Sequence, residues 1–191
     1  MTREVEYKKR RDRLASKLSK NSVAAVFSAE YKTRSNDTKY PFRQNSSFYY
    51  LSGFLEDNSC LLFVKHKKDV KTILFVHKKD KTQELWNGKR LGKKEAKKSF
   101  LVDEVYEYEE LNAKLKELGA VAKELHYDFS LEASKVELLK KNFKNVKTYQ
   151  NVASPLEKMR LLKSASEISL IKKALVITRE AHHRTMRMSS E

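Results

Sequence analysis

Short apolar runs alternate with amphipathic segments along the chain. Residues 2–20 carry charges on most sides and an apolar stripe on one, a pattern that predicts an amphipathic helix. Val5, Leu14 and Leu18 form that stripe. Apolar runs predict strands at 22–28, 48–52, 60–65, 72–76, 125–129 and 146–149. A polar turn separates the third run from the fourth, which predicts a hairpin.

Helical signals continue between the later strands. Residues 109–118 are predicted to form a helix that ends at Gly119, a residue suited to a left-handed helix cap. A second helix is predicted over residues 131–143. Strands that alternate with helices predict an α/β fold, in which helices flank both faces of a mixed sheet.

The last part of the chain has a different pattern. Pro155 is expected to interrupt the structure. A long helix is predicted after Ser164, because Glu167 three residues later completes a capping box. The less polar stripe of this helix contains Ile168, Ile171, Leu175 and Thr178. Such a stripe must be buried against a partner. We therefore divide the chain into a domain at 1–150 and a segment at 151–191.

The composition is typical of a folded soluble protein. The 191 residues are 40% apolar and include nine Phe and nine Tyr, but only four Gly and two Pro, so long flexible linkers are not expected. The N-terminus lacks the apolar stretch of a signal peptide, and no run is long enough to cross a bilayer. Cys60 is the single cysteine and cannot form an internal disulfide. The sequence thus predicts a soluble cytoplasmic protein with no membrane partner.

Positive charge is the strongest compositional signal. The formal net charge is +16, and residues 65–99 contain thirteen Lys or Arg against four Asp or Glu. A basic stretch of this kind can bind nucleic acid. Thirty of the 41 basic residues are Lys, however, whereas base readout and bidentate phosphate recognition favour Arg. The charge is interpreted mainly as a solubility feature, and nucleic acid as an unfavoured partner.

Residues that could carry chemistry are scattered. Of the five histidines only His182 and His183 are close in sequence, and neighbours on a helix point in different directions. The chain contains neither a His-Glu-x-x-His pattern nor a cysteine cluster, so no metal ligand is assigned. Cys60 lies in an apolar run and is interpreted as a core thiol. Ser52-Gly53 lacks the first glycine of a nucleophile elbow, so no catalytic residue is assigned either.

Two strings of residues together resemble a known family. The first covers residues 43–54 (RQNSSFYYLSGF), and the second covers residues 84–92 (ELWNGKRLG), which contain the only tryptophan. In this order they resemble the N-terminal domain of aminopeptidase P, the metallopeptidase that removes a residue preceding proline. Residues 157–168 resemble the linker and first helix of that family's catalytic domain. Asn87 departs from the pattern, because an aromatic residue is more usual there.

The resemblance implies that catalysis takes place outside this chain. In the family, two manganese ions are held by aspartate, histidine and glutamate ligands of a C-terminal domain. Paired cations of this kind bind a hydroxide nucleophile and stabilise the charge that develops on the scissile carbonyl. None of those ligands is carried onto this sequence. The chain alone is therefore expected to be inactive and to have no cofactor of its own.

Trp86 and Asp37 are the two candidate substrate-binding residues. The resemblance implies that the turn at Trp86 lies near the active-site mouth of a neighbouring subunit, and that Asp37 approaches the same opening. Lys89 and Arg90 follow the tryptophan, and an aromatic face beside cations suits the apolar and carboxylate parts of a short peptide. The alternatives are a buried core anchor for Trp86 and a turn-forming role for Asp37.

These observations lead to one hypothesis and two alternatives. The chain is interpreted as the non-catalytic N-terminal domain of a Xaa-Pro aminopeptidase that acts on short proline-containing peptides. Its expected role is to shape substrate access and the contacts of a homo-oligomer. A prolidase or creatinase relative shares this two-domain plan. A free-standing basic module that binds nucleic acid is the alternative from another class, and a reading frame continuing beyond Glu191 would argue against it.

Overall fold

Residues 2–189 are described by a computed structural model, in which strands and helices alternate. The strands are β1 (Ser22–Phe27), β2 (Thr33–Ser35), β3 (Thr38–Lys39), β4 (Cys60–His66), β5 (Asp69–Val76), β6 (Glu104–Glu107), β7 (Glu124–Tyr127) and β8 (Thr148–Asn151). The helices are α1 (Arg3–Lys17), α2 (Ser46–Ser52), α3 (Lys81–Asn87), α4 (Gly92–Ser99), α5 (Leu111–Gly119), α6 (Ala133–Asn142), α7 (Ala153–Leu161) and α8 (Ala165–Met188). Met1, Ser190 and Glu191, at the outer ends of the two predicted domains, lie outside the described residues.

The main sheet has both parallel and antiparallel pairs. Its strand order within the described residues is β6-β5-β4-β1-β7-β8, and β2 pairs with β3 in a separate hairpin. Strand β4 pairs antiparallel with β1 and β5, whereas β1–β7, β7–β8 and β5–β6 are parallel. The predicted α/β class with a mixed sheet is confirmed, as is the hairpin between β4 and β5.

Strand β1 supplies side chains to both faces of the sheet. Val23, Ala25 and Phe27 belong to a buried cluster that also contains residues of α5 and α6. Ala24 and Val26 are buried as well, and strand alternation turns them toward the opposite face. Helix α2 contacts both α1 and β1. The sheet is therefore covered on two sides, as its near-continuous apolar strands require.

The predicted strand at residues 48–52 is wrong, because these residues form helix α2. Asn45 caps the helix by accepting hydrogen bonds from the backbone amides of Ser47 (2.9 Å) and Phe48 (3.0 Å). Gly53 ends it in a left-handed conformation, with φ of 69°. The aromatic side chains favoured a strand by composition, but the two caps define a short helix between them.

Three smaller predictions are also wrong. Val5 is 37% exposed, although Leu14 and Leu18 are buried as predicted. Pro155 does not interrupt the chain. It lies in the first turn of α7, where a missing amide hydrogen costs no helical hydrogen bond. Gly119 is not a left-handed cap but the last residue of α5, and its missing side chain lets the helix approach the carbonyl oxygen of Asn142.

The chain forms two compact units, one that ends at Leu156 and one that starts at Glu157. In the second unit the predicted capping box is confirmed. The Ser164 hydroxyl accepts from the Glu167 amide (3.3 Å), and the Glu167 carboxylate accepts from the Ser164 amide (2.8 Å). Ile168, Ile171 and Leu175 on α8 are 44%, 47% and 61% exposed, so the predicted stripe has no cover within the described residues. None of the helices between residues 2 and 189 combines the length and apolarity that crossing a membrane would need.

Candidate functional site

Helix α3 presents the only tryptophan to solvent. The Asp80 side chain caps this helix by accepting from the amides of Thr82 (2.9 Å) and Gln83 (3.0 Å). Trp86 is 81% exposed and Leu85 is 80% exposed, and no residue of α3 is buried. Two large apolar side chains are thus adjacent on a short helix that contributes nothing to the core. The alternative of a core anchor at Trp86 is wrong.

The turn that follows α3 is fixed by hydrogen bonds from three directions. The Glu84 carboxylate accepts from the backbone amide of Arg90 (3.2 Å), and the Arg90 guanidinium donates to the carbonyl of Lys78 (3.1 Å). The Glu56 carboxylate accepts from the amide of Leu91 (2.7 Å). The sequence pattern predicts that Trp86 lies on a basic turn. The structure instead places it on a helix whose C-terminal turn is tied to the domain.

An acidic pair and a histidine lie beneath this turn. Asp57 Oδ1 and His77 Nε2 are 3.0 Å apart. Burial alone would raise the pKa of Asp57, but the hydrogen bond and charge of His77 outweigh it and hold that pKa below its usual value. Burial raises the pKa of Glu56, and the bond from the Leu91 amide lowers it only in part. Glu56 Oε2 is buried with no hydrogen-bond partner among residues 2–189.

Asp37 lies at the tip of the hairpin formed by β2 and β3. Asn36 in the same turn has a positive φ of 45°, a conformation that asparagine adopts more readily than most residues. All residues of both strands are exposed, as is Asp37. The amide of Tyr40 donates to the carbonyl of Lys32 (2.9 Å), which closes the base of the hairpin.

The hairpin and the α3 turn meet at one polar pocket of about 300 Å³. Tyr31 and Lys39 line it from the hairpin side, and Gln83, Asn87 and the Gly88–Arg90 turn line it from the other. Glu56, Asp57 and His77 are among the residues that form the rest of its wall. Trp86 and Asp37 do not line the pocket, but each is next to a segment that does. Trp86 and Asp37 are about fifty residues apart in sequence, yet the segments next to them line the same pocket.

Sequence reasoning did not find the residues of this pocket wall. Glu56 and Asp57 follow a helix in the sequence and look like ordinary loop carboxylates, and His77 follows a strand of apolar residues. The predicted hairpin does bring the start of β4, and so Asp57, near His77 at the end of β5, but no spacing rule joins this pair to the turn after Trp86. The one local signal was the glycine pair around Lys89 and Arg90, which marked the turn but not its partners.

The basic stretch between residues 65 and 99 is partly neutralised by nearby carboxylates. Lys71 pairs with Glu104 (2.8 Å), Lys79 with Glu95 (3.6 Å) and Lys93 with Glu110 (3.4 Å). Exposed pairs of this kind contribute little to stability. They do reduce the uncompensated charge that a polyanion would meet.

A metal centre needs a cluster of suitable ligands, and residues 2–189 contain no group of three or more His, Cys, Asp or Glu side chains placed to hold an ion. His182 and His183 are exposed neighbours on α8. The donor set in the described part of the chain therefore does not fit a two-metal site.

Comparison with known proteins gives one family. The family model for the aminopeptidase P N-terminal domain matches residues 7–126. Xaa-Pro aminopeptidase from Haemophilus influenzae is 35% identical over 95% of this chain and 42% of its own length. The Escherichia coli enzyme of the same name is 33% identical over 95% of this chain and 44% of its own length.

Solved structures agree with this result. Proline aminopeptidase P II from Yersinia pestis has a TM-score of 0.92 at 33% identity, over 97% of this chain and 45% of that chain. Zinc-substituted E. coli aminopeptidase P in complex with product has a TM-score of 0.93 at 29% identity, with the same coverage.

The fold and these matches define an α/β domain that this chain shares with Xaa-Pro aminopeptidases. The chain belongs to the aminopeptidase P N-terminal domain family, as the resemblance in its sequence predicted. It spans less than half the length of the curated relatives it matches.

Replacing Trp86 with alanine is expected to leave the free energy of unfolding within about 0.5 kcal/mol of the parent, because an exposed ring has little packing to lose. Chemical denaturation followed by circular dichroism would measure this. Phe63→Ala is the matched control, since Phe63 is fully buried and its loss should cost about 3–5 kcal/mol. A Trp86→Ala loss near that of the control would contradict the exposed position.

Proposed function

We propose that this chain is the non-catalytic N-terminal part of a manganese-dependent, cytoplasmic Xaa-Pro aminopeptidase that cleaves short proline-containing peptides. In this role it borders the entrance to the active site and supplies contacts within a homo-oligomer. Trp86 and Asp37 contact the substrate. The single observation that carries the proposal is the exposed Trp86 on a helix that is capped at its N-terminus and bonded to the domain after its C-terminus.

Physical chemistry supports recognition at this surface. The Trp86 ring stays four-fifths exposed when the domain folds. The free energy of burying it therefore remains available for binding a ligand or a neighbouring subunit. The caps and the bond between Glu56 and Leu91 fix the helix beforehand, which lowers the entropy lost on binding. Lys89, which is exposed three residues after Trp86, offers a charge to a peptide carboxylate.

Metal chemistry is assigned to the part of the relatives that this chain does not match. The donor set described above does not fit two metal ions, and no step of hydrolysis is placed on these residues. We assign residues 151–191 to the linker and first helix of the catalytic domain. The exposed stripe on α8 is the surface that such a domain would cover.

The 191-residue chain alone is expected to show no aminopeptidase activity on a Xaa-Pro-Xaa tripeptide, with or without added manganese, because residues 2–189 do not form the ligand set for a metal-bound nucleophile. Release of the N-terminal amino acid, measured by chromatography, checks this. The control is intact H. influenzae Xaa-Pro aminopeptidase under the same conditions. Metal-dependent turnover that coelutes with the purified chain would contradict the proposal.

The role of Trp86 can be tested in a chimera that joins this chain to the unmatched remainder of the H. influenzae enzyme. We expect Trp86→Ala to lower kcat/KM about tenfold for peptides longer than three residues, or roughly 1.4 kcal/mol, and to affect the shortest substrates less. Val121→Ala is the control, because Val121 is a similarly exposed apolar residue outside the site. Equal kinetics for both variants, or a folded but inactive parent chimera, would contradict the proposal.

A further inference from the structure

A second and larger pocket lies at the carboxyl ends of strands β1 and β7. Its volume is about 480 Å³, within the range of small-molecule sites. The two strands are parallel neighbours, but the chain leaves them in different directions. After β1 it continues through the hairpin to α2, and after β7 it enters α6, which packs on the other face with α5. Such a divergence opens the crevice in which α/β sheets commonly bind ligands.

A buried lysine forms part of the wall of this pocket. Lys135, in the first turn of α6, is only 9% exposed, and lysine is rarely buried without a partner. Its ammonium lies 2.9 Å from Glu30 Oε1, with the ring of Phe27 5.5 Å from Nζ. An ammonium has three donors, and Glu30 is its one polar partner among the described residues. Lys135 can therefore still donate to an acceptor within the pocket.

Gln44 holds another part of the wall in place through its hydrogen bonds. The Gln44 amide oxygen accepts from the amides of Ala29 (2.8 Å) and Asn45 (2.8 Å). Its amide nitrogen donates to the carbonyl of Glu56 (2.8 Å). With its oxygen and nitrogen both engaged, Gln44 fixes the loop after β1 against the segment before β4. These bonds hold this part of the wall in place before any ligand enters.

The rim supplies an aromatic surface and a second carboxylate. The rings of Tyr31 and Phe42 lie 4.8 Å apart, and Tyr31 is 45% exposed. Asp128, at the end of β7, accepts through Oδ1 from the hydroxyl (2.6 Å) and the amide (2.8 Å) of Ser130. No described bond engages its other oxygen. The rim thus offers a ligand both apolar area and a free acceptor.

The charges of the pocket balance. Three cationic side chains line it, Lys32, Arg43 and Lys135, and so do three carboxylates, Glu30, Asp128 and Glu132. A simple anion or cation would gain little net attraction there, whereas a ligand that carries both charges can pair with both.

We propose that this pocket binds the zwitterionic head of a free α-amino acid with an apolar side chain. The ligand carboxylate accepts from Lys135, at the N-terminal end of α6 where negative charge is favoured. Its ammonium donates to the Asp128 carboxylate, and its side chain packs on the rings of Tyr31 and Phe42. The site stands on this pocket alone and does not depend on the proposed function.

Titration calorimetry of the 191-residue chain with L-leucine tests the proposal. We expect saturable binding, and at least a tenfold weaker affinity for N-acetyl-L-leucine and for L-leucinamide, since each lacks one charge. Lys135→Met should weaken L-leucine binding at least tenfold, whereas Lys140→Met, an exposed change on the same helix, should not. Asp128→Asn, which removes the charge that the ligand ammonium would pair with, should also weaken binding and serves if Lys135→Met fails to fold.

Two outcomes would overturn the site. One is the absence of saturable L-leucine binding up to about 10 mM. This concentration is about ten times a dissociation constant of 1 mM, which corresponds to −4.1 kcal/mol. The other is equal binding of L-leucine and its two blocked derivatives, which would indicate an apolar surface without head-group recognition. Amide resonances followed by NMR locate the ligand, because Ala29 and Ser130 should shift and residues of α8 should not.

Discussion

Arg11→Met is expected to lower the free energy of unfolding by about 3 kcal/mol, because one buried guanidinium serves three backbone carbonyls. Arg11 is 1% exposed and donates to the carbonyls of Leu51 (2.9 Å), Phe100 (2.7 Å) and Leu101 (2.8 Å). These bonds join α1 to the end of α2 and to the segment after α4. Methionine fills much of the space but leaves all three oxygens without a donor.

Burial lowers the pKa of Arg11 to about 10, so the side chain remains charged at neutral pH and its hydrogen bonds are charge-assisted. Urea denaturation followed by circular dichroism measures the loss. Arg13→Met is the matched control, since Arg13 is exposed on the same helix and should change stability by less than about 0.5 kcal/mol. A loss below about 1 kcal/mol for Arg11→Met would show that water or rearrangement satisfies the carbonyls.

Gly119→Ala is expected to lower the free energy of unfolding by about 2 kcal/mol, although alanine normally stabilises a helix relative to glycine. A β-carbon at this position would overlap the carbonyl oxygen of Asn142 and crowd the α-carbon of Phe143 at 3.3 Å. Both atoms belong to the backbone, so no rotamer change can make room. Helices α5 and α6 would have to separate, and Phe143 belongs to the buried cluster to which both helices contribute.

Thermal unfolding of the Gly119→Ala protein checks this expectation, with Ala120→Ser as control. Ala120 is the next residue and is exposed, so the melting temperature of the Ala120→Ser protein should match that of the parent. An unchanged or raised melting temperature for Gly119→Ala would mean that the helix–helix approach relaxes without cost. The same experiment shows whether the glycine matters for packing or, as its sequence position suggested, for ending a helix.

Local sequence signals were sufficient where the interactions are local. The capping box at Ser164 and Glu167 needs only residues three apart, and the structure confirms it. The apolar runs of β1, β4 and β5 are long enough to define strands by themselves. The family resemblance also came from local strings, and the comparisons confirm it.

Local signals misled where two rules compete. Residues 48–52 are rich in aromatic side chains, which favours a strand, yet Asn45 and Gly53 cap a helix there. The candidate site shows a similar division. The residues around Trp86 identified it as a candidate substrate-binding residue. They did not decide whether it is exposed, because a lone tryptophan is as compatible with a core as with a surface.

The sequence by itself determined the α/β class, the main strands, the cap of the last helix and the family. Three features were decided by the tertiary structure alone. Glu56 binds the turn after Trp86, and Arg11 joins three segments. Lys135 pairs with Glu30 at the carboxyl ends of β1 and β7. Each of these contacts joins residues 35 to 105 positions apart. Periodicity and capping report on neighbours within about one helical turn or one strand, whereas a folded sheet brings distant loops together.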